Sequence, residues 1–403
     1  MKLNVAVIFG SETVEHEVSV ISAHQAMEAL DPDRYHVLPI YISKDRRFYY
    51  SEGLRSMDAY RDLSKIPSMA QQITFGIIDN RTWILPVKQG FFARKPIEPI
   101  DVAIPVMHGT YGEDGMIAGL LEAYRIPYTS CDLIAAGVGQ DKVLQKHILN
   151  DNGLPLTRWF WVWADEIDTN REEVLKKVHK LIYPVILKPA RTGSSVGISI
   201  AHNDEEYLEC FEEARQYDEK IITEKVIKPM REINCSVLGE GTEAITSVLE
   251  EVSHGDSGLL DFKDKYLGNS GKNGAKGTPS KGMASAARIV PAPLDDAQTA
   301  YIKELALKTF RVLGCAGVCR IDFLMDAETK TVYVNEINTI PGSLSFYLWK
   351  EAGVSFPELM DRLVDIALER ERRRSRMTFS YDSNLLAAYN ANGTKGSKGA
   401  KKI

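Results

Sequence analysis

The chain has 403 residues, of which 44% are hydrophobic and 26% charged, and its formal net charge is −6. This length exceeds what one small core needs and predicts two or three domains. No run approaches the roughly 18 apolar residues of a membrane span, and the acidic balance gives no electrostatic footprint for nucleic acid. The opening MKLNVAVIFG reads as a buried strand rather than as the charged, apolar and small-residue succession of a signal peptide, so a cytoplasmic protein is expected. Five cysteines, an odd number, fit reduced thiols better than a disulfide framework. Cys315 and Cys319 lack a second pair or a nearby His that would complete a metal site, and they read as core packing.

Residues 1–140 alternate between strand and helix. VAVIF at 5–9 is a continuous apolar run of the parallel-strand type, followed by apolar residues at helical spacing over 18–30 until Asp31-Pro32 stops them. Further strands are expected at 36–42, 83–87 and 101–107. An open α/β sheet binds ligands beyond the carboxyl ends of its strands, which singles out the loops 10–19 and 108–115. The first offers Glu15, His16 and Glu17; the second offers His108, Glu113 and Asp114. An acidic loop suits an ammonium group better than a pyrophosphate, although helix caps and surface charge account for the same residues. The turn after VAVIFG lacks the later glycines of a dinucleotide fingerprint, which argues against a nicotinamide cofactor.

From Asp141 the texture changes. A helix over 141–150 carries Lys142 in its first turn, where a cation opposes the helix dipole and needs an anion nearby. Strands at 156–162 and 185–188 flank a helix over 171–181. The second strand runs into KPARTGSSVGISI, in which Lys188, Gly193, Ser194, Ser195 and Gly197 form a phosphate cradle or, alternatively, a plain Gly-Ser hairpin turn. It is not a Walker loop, because the Lys precedes the glycines and a strand follows. After a helix over 204–216, Glu224, Lys225 and Ile227 end one strand and Glu232 opens the next, an arrangement able to receive a flat heterocycle and ribose hydroxyls. The Gly-, Lys- and Ser-rich run at 268–282, preceded by Lys265 and Tyr266, reads as a mobile lid. Helices follow over 295–313 and 356–374, and the basic end NGTKGSKGAKKI reads as a disordered tail.

Residues 318–342 hold the densest chemistry. Period-two alternation in VCRIDFLM sets Arg320 and Asp322 on one strand face, and VYVNEIN returns with Glu336 and Asn338 side by side. Two carboxylates and an amide oxygen suit Mg²⁺, with Arg320 beside them to meet negative charge; the wet face of an edge hairpin is the bland alternative. The NTIPGS turn that follows is expected to bring backbone N–H groups beside these ligands.

EHEVS at 15–19, HGTYGEDG at 108–115, KPARTGSSVG at 188–197, KY at 265–266, RID at 320–322 and NEINTIPG at 335–342 recur together in the order and spacing of one family. Over about residues 5–368 the chain resembles the D-alanine:D-alanine ligases of the ATP-grasp superfamily. The resemblance implies a mixed α/β, partly α+β, three-domain ATP-grasp fold. Its parts would be an N-terminal open α/β domain (1–140), a central domain (141–226), a C-terminal domain (227–386) with a lid loop (262–290), and a tail (387–403). It also implies that Glu15 holds the ammonium of the first D-alanine, networked to Ser194 and Tyr266, with His108 nearby. Lys142, Lys188, Lys265 and the Ser195 loop would meet ATP phosphates, Glu224 with the Lys225–Ile227 backbone the adenine, and Glu232 the ribose. Asp322, Glu336 and Asn338 would hold two Mg²⁺ ions, or Mn²⁺, while Arg320 and the backbone of Gly342 would face the tetrahedral intermediate. A homodimer is implied by resemblance alone.

The sequence departs from the family at SLSFYLWK, where Tyr347 takes the position of a Ser that helps hold the second substrate and Leu344 that of a Thr. Ser343, Ser345, Tyr347 and Leu348 are therefore the candidate acceptor-site residues, and a second amino acid such as D-serine is the alternative substrate. Tyr266 argues against a D-lactate acceptor. A nucleotide-binding sensor without ligase activity is the alternative from another class.

Overall fold

The computed structural model describes residues 2–87, 95–252 and 288–381, built around three sheets. In the first sheet, strands Leu3–Gly10, Tyr35–Ile42 and Val102–Val106 run parallel, and Phe48–Tyr50, Gln71–Ile78 and Arg81–Pro86 extend one edge antiparallel. Strand Leu3–Gly10 is apolar at consecutive positions because both of its faces are covered. Val5, Val7 and Phe9 join one core cluster, and Ala6 and Ile8 join another on the opposite face. The first cluster also takes in Leu359, Met360 and Leu363 of the C-terminal helix Phe356–Arg374, together with Val318 and Ile340 of the third sheet and its following turn. One continuous core thus joins the first strand to the helix Phe356–Arg374.

The second sheet orders Trp159–Trp163, Lys220–Lys225, Val185–Pro189 and Ser199–Ala201, all antiparallel. Helices Arg171–Leu181 and Asp204–Ala214 cover it through Val174, Val178, Tyr207 and Phe211. The third sheet orders Arg288–Ile289, Ile245–Val252, Met230–Glu240, Ala316–Asp326 and Val332–Asn338, also antiparallel. Helix Asp296–Val312 seats Ile302, Ala306 and Phe310 against it.

Several boundaries differ from the sequence expectation. The helix expected at residue 18 begins at His16, so the loop after the first strand is shorter and ends on Glu15. Its hold on the sheet comes from Ser19, whose hydroxyl accepts from Gly10 N at 2.8 Å and donates to Val106 O. The strand expected at 156–162 is Trp159–Trp163, and the strand expected to end at Ile227 stops at Lys225. Strands Gln71–Ile78 and Ile245–Val252 and helices Met116–Ala123, Leu133–Gln140 and Phe346–Glu351 had no counterpart in the sequence reading. Ile245–Val252 was hidden by Glu250 and Glu251, whose charges are neutralised by arginines across the sheet. Most of the expected lid, with Lys265 and Tyr266, and the basic tail lie outside the described residues. Among the described residues no helix is long and apolar enough to cross a membrane, and all five cysteines are free.

Candidate functional site

The hairpin expected around Arg320 forms as the alternation predicts. Asp322 faces Glu336 and Arg320 faces Asn338 in the antiparallel register of Ala316–Asp326 and Val332–Asn338, with a bulge just after Asp322. Arg320 clasps Asp322 with two hydrogen bonds, Nε to Oδ1 at 2.6 Å and one terminal nitrogen to Oδ2 at 2.7 Å. Asn338 donates to Asp322 Oδ2 at 3.0 Å, which leaves its carbonyl oxygen for a cation. Burial pushes the Asp322 carboxyl up to about 6 against the pull of Arg320, as expected of a buried carboxylate short of positive charge. Two carboxylates and an amide oxygen on adjacent strands fit a hard divalent ion.

Around Glu224 of the second sheet gather two buried lysines, Lys188 of a neighbouring strand and Lys146 of the helix Lys142–Asp151. Glu224 lies between Lys146 Nζ at 3.0 Å and Lys188 Nζ at 2.9 Å, and it accepts from Thr157 Oγ1 at 2.6 Å. Burial alone would raise its pKa, but the two ammonium groups outweigh it and hold the carboxyl far below the ordinary range. Lys188 also donates to Asn335 Oδ1 at 3.0 Å, linking the second sheet to the third. The anion that Lys142 needs is Glu336, 3.5 Å away, and the same ammonium donates to Thr192 O at 2.8 Å. Asp141 caps that helix by accepting from Val143 N and Leu144 N at 3.0 and 3.1 Å.

At the other end of the cavity Glu15 meets Ser194, whose hydroxyl donates to its Oε1 across 179 residues of sequence. Glycines make room for this carboxylate. A Cβ on Gly109, where φ is +70°, would sit 2.6 Å from Glu15 Oε2, and one on Gly193 would sit 3.2 Å away. His108 is buried, which lowers its pKa and keeps it neutral. Its Nδ1 lies 2.8 Å from Ile340 O and its Nε2 3.0 Å from Ser22 Oγ, so Nδ1 carries the proton and Nε2 accepts from Ser22. Ser22 in turn accepts from Ser343 N at 3.0 Å. Glu113 accepts from Gly109 N at 2.9 Å and Ile340 N at 3.1 Å, and burial with Glu15 nearby pushes its carboxyl up to about 8. The N–H groups of Ile340 and Ser343 therefore serve protein acceptors, contrary to their expected place beside the metal ligands.

One cavity is lined by Glu15, His108, Lys142, Ser194, Glu232, Arg320, Glu336, Asn338 and Gly342. Glu224 and Lys188 sit behind it as a buried ion pair. Lys225 turns away and donates to Ile182 O at 2.8 Å, and Ile227 is half-buried beyond the strand end. Ser195 adopts a left-handed backbone, φ 60°, beside Ser194 at 53°. Of the expected acceptor residues, Ser343 and Ser345 are buried with left-handed φ of 50° and 52°, and Leu348 is fully buried. The cavity wall is formed instead by Gly342 next to them. Tyr347 hydrogen-bonds Glu250 and Arg288, neither singled out from the sequence. Lys146 was also missed, though it stands four residues after Lys142 and so shares a helix face with it. Cys131 joins Cys315 and Cys319, their sulfurs all within 4.8 Å of one another, so the expected core packing includes a third thiol.

Two antiparallel sheets, one joined by a helix in surrounding Glu224 with buried lysines and the other bearing a carboxylate-amide hairpin, define the ATP-grasp class of fold. Residues 4–131 match the family described as D-ala D-ala ligase N-terminus, and residues 148–365 match D-ala D-ala ligase C-terminus. A D-alanine–D-alanine ligase of Thermosipho melanesiensis is 36% identical, covering 95% of this chain and 98% of the relative. One of Heliobacterium modesticaldum is 38% identical, covering 93% and 97%. Among solved structures, the D-alanine-D-alanine ligase of Coxiella burnetii has a TM-score of 0.75 at 25% identity, covering 93% of this chain and 96% of that one. The VanG D-Ala:D-Ser ligase of Enterococcus faecalis has a TM-score of 0.76 at 26% identity, covering 91% and 100%. The chain belongs to the D-alanine–D-alanine ligase family.

Proposed function

We propose that this protein uses ATP to join two D-alanines into D-alanyl-D-alanine, through an acyl phosphate, for the assembly of peptidoglycan precursors. The observation that carries this reading is the single cavity with an acidic, glycine-cradled end at Glu15 and a cationic, oxygen-rich end at Lys142, Glu336 and Asn338. In the proposed division, the first sheet supplies the first-substrate loops (residues 1–140), and the second and third supply the nucleotide-holding halves (141–226 and 227–386).

Glu15, fixed by Ser194, receives the ammonium of the first D-alanine and points its carboxylate toward the lysines. Among the described residues Lys142 and Lys188 are assigned to ATP phosphates, Lys142 at the cavity wall and Lys188 behind it, with Lys146 and Glu224 holding Lys188 in place; Lys265, also assigned to phosphate, lies outside the described residues. Glu232 is assigned to the ribose and the backbone after Glu224 to the adenine. Asp322, Glu336 and Asn338 would hold two Mg²⁺ ions, which when bound neutralise phosphate charge and orient the transferred group. Phosphoryl transfer to a carboxylate asks chiefly for positioning, and the pre-built ion pairs of the two sheets supply it. When the second amine attacks, charge develops on an oxygen that Arg320 and the backbone at Gly342 can meet. His108, held neutral in one tautomer, keeps the turn at Ile340 and Ser343 in register with Ser22.

Incubation with ATP, Mg²⁺ and D-alanine as sole amino acid tests the reading. Mass spectrometry should find one dipeptide per ADP released. ADP release without a dipeptide, or activity restricted to L-amino acids, would overturn it.

A further inference from the structure

A second amino acid brings a carboxylate into the cavity, and a cation must meet it. Three cationic side chains of the described residues line that cavity: Lys142, Arg288 and Arg320. Lys142 faces Glu336 at 3.5 Å, and Arg320 is committed to Asp322 through two short hydrogen bonds. Arg288 contacts neither. It lies 3.1 Å from Glu250 Oε2, its guanidinium carbon is 5.1 Å from the centre of the Tyr347 ring, and its Nε is buried without a hydrogen-bond partner among the described residues. A buried unpaired donor on a cation carries a desolvation penalty that an incoming carboxylate would relieve.

Tyr347 cannot take over the role expected of a Ser at its position. Its hydroxyl donates its one proton to Glu250 Oε1 at 2.9 Å and accepts from Arg288. Burial raises the phenol's pKa, so the proton stays in place. Glu250 is itself fully buried and accepts from Asn234 at 3.2 Å, which fixes the other end of the strut.

We infer that Arg288 is the group that recognises the carboxylate of the acceptor amino acid, and that Tyr347 and Glu250 are positioning residues that hold its guanidinium at the cavity wall. The inference rests on the ligase reading above and adds to it the residue that selects acceptors bearing a free carboxylate. An Arg at this point gives a planar fork that a Ser hydroxyl does not, so this acceptor site discriminates by charge.

D-Alaninamide separates the roles, because without a carboxylate it can serve only as acceptor. With D-alanine as first substrate, kcat/KM is measured for D-alanine and for D-alaninamide as competing acceptors, the two products being distinguished by mass. In Arg288→Gln the preference for D-alanine over the amide should shrink by on the order of 30-fold, the size of one lost charge-assisted contact. Arg288→Lys should restore part of the preference, and Tyr347→Phe should weaken it less than Arg288→Gln does. An equal fall with both acceptors would make Arg288 a structural strut and overturn the inference. An unchanged preference would overturn it as well. Wild-type protein that forms neither product would remove the ligase reading itself, an outcome distinct from either of these.

Discussion

The two amino-acid ends of the cavity are built on opposite plans. The proposed first-substrate end sets Glu15 in a cradle of glycines and hydroxyls, with Gly109 and Gly193 against its oxygen. The proposed acceptor end is a crowded ionic strut in which Glu250, Tyr347 and Arg288 touch one another. A cradle of backbone and small residues tolerates little change, since any side chain at Gly109 would collide with Glu15. A strut of side chains can be rebuilt from other residues while the backbone stays put.

The largest expected effect falls where the two ends share machinery. Glu336→Gln should lower turnover by about three orders of magnitude with either acceptor, because it removes a proposed metal ligand and the partner of Lys142. Unchanged circular dichroism alongside that loss is expected; near-normal turnover would sink the metal assignment. A smaller effect, on stability, is expected behind the cavity. Lys146→Met leaves fully buried Glu224 with one cation instead of two and should cost about 3 kcal/mol in urea unfolding. A change within 0.5 kcal/mol, the size of an ordinary surface substitution, would mean that Lys188 alone balances the charge.

The carboxylates also differ in the sign of their pH dependence. The Glu113 carboxyl, raised from 4.5 to about 8, holds a proton in the folded protein that the unfolded chain releases. Its stabilisation is therefore complete below pH 4.5 and is lost as pH rises through 8. Glu224, with a lowered pKa, contributes above 4.5 and loses that contribution as pH falls through its folded value. Glu113→Gln should flatten the decline in stability between pH 5 and pH 8 by about 3 kcal/mol. Parallel curves for variant and wild type would show that Glu113 is already ionised at neutral pH.

Residues whose placement follows from local periodicity were legible in the sequence. Arg320, Asp322, Glu336 and Asn338 sit where a period of two places them, and the helix expected over 356–374 forms at Phe356–Arg374. The proposed acceptor strut was not legible, because it brings together positions 250, 288 and 347 from two strands and a short helix. Glu250 reads as solvent-facing charge until Arg288 is placed beside it. Lys146 carried a weak signal, its spacing from Lys142 on the same helix, but its burial depends on Glu224 of the second sheet. The left-handed run Ser343, Leu344 and Ser345 has no sequence signature, since none of the three is glycine. It is held by packing and by Ser22, and only the assembled structure reveals it.

The contrast between the two ends is tested most directly by trapping the acyl phosphate with hydroxylamine, which reports the first half of the reaction without an acceptor amino acid. Hydroxamate and dipeptide formation would be measured side by side in Glu15→Gln and Tyr347→Ser. The account predicts that both products fall together in Glu15→Gln, whereas Tyr347→Ser loses dipeptide about tenfold more than hydroxamate. The same ratio of losses in both variants would contradict the separation of the two ends.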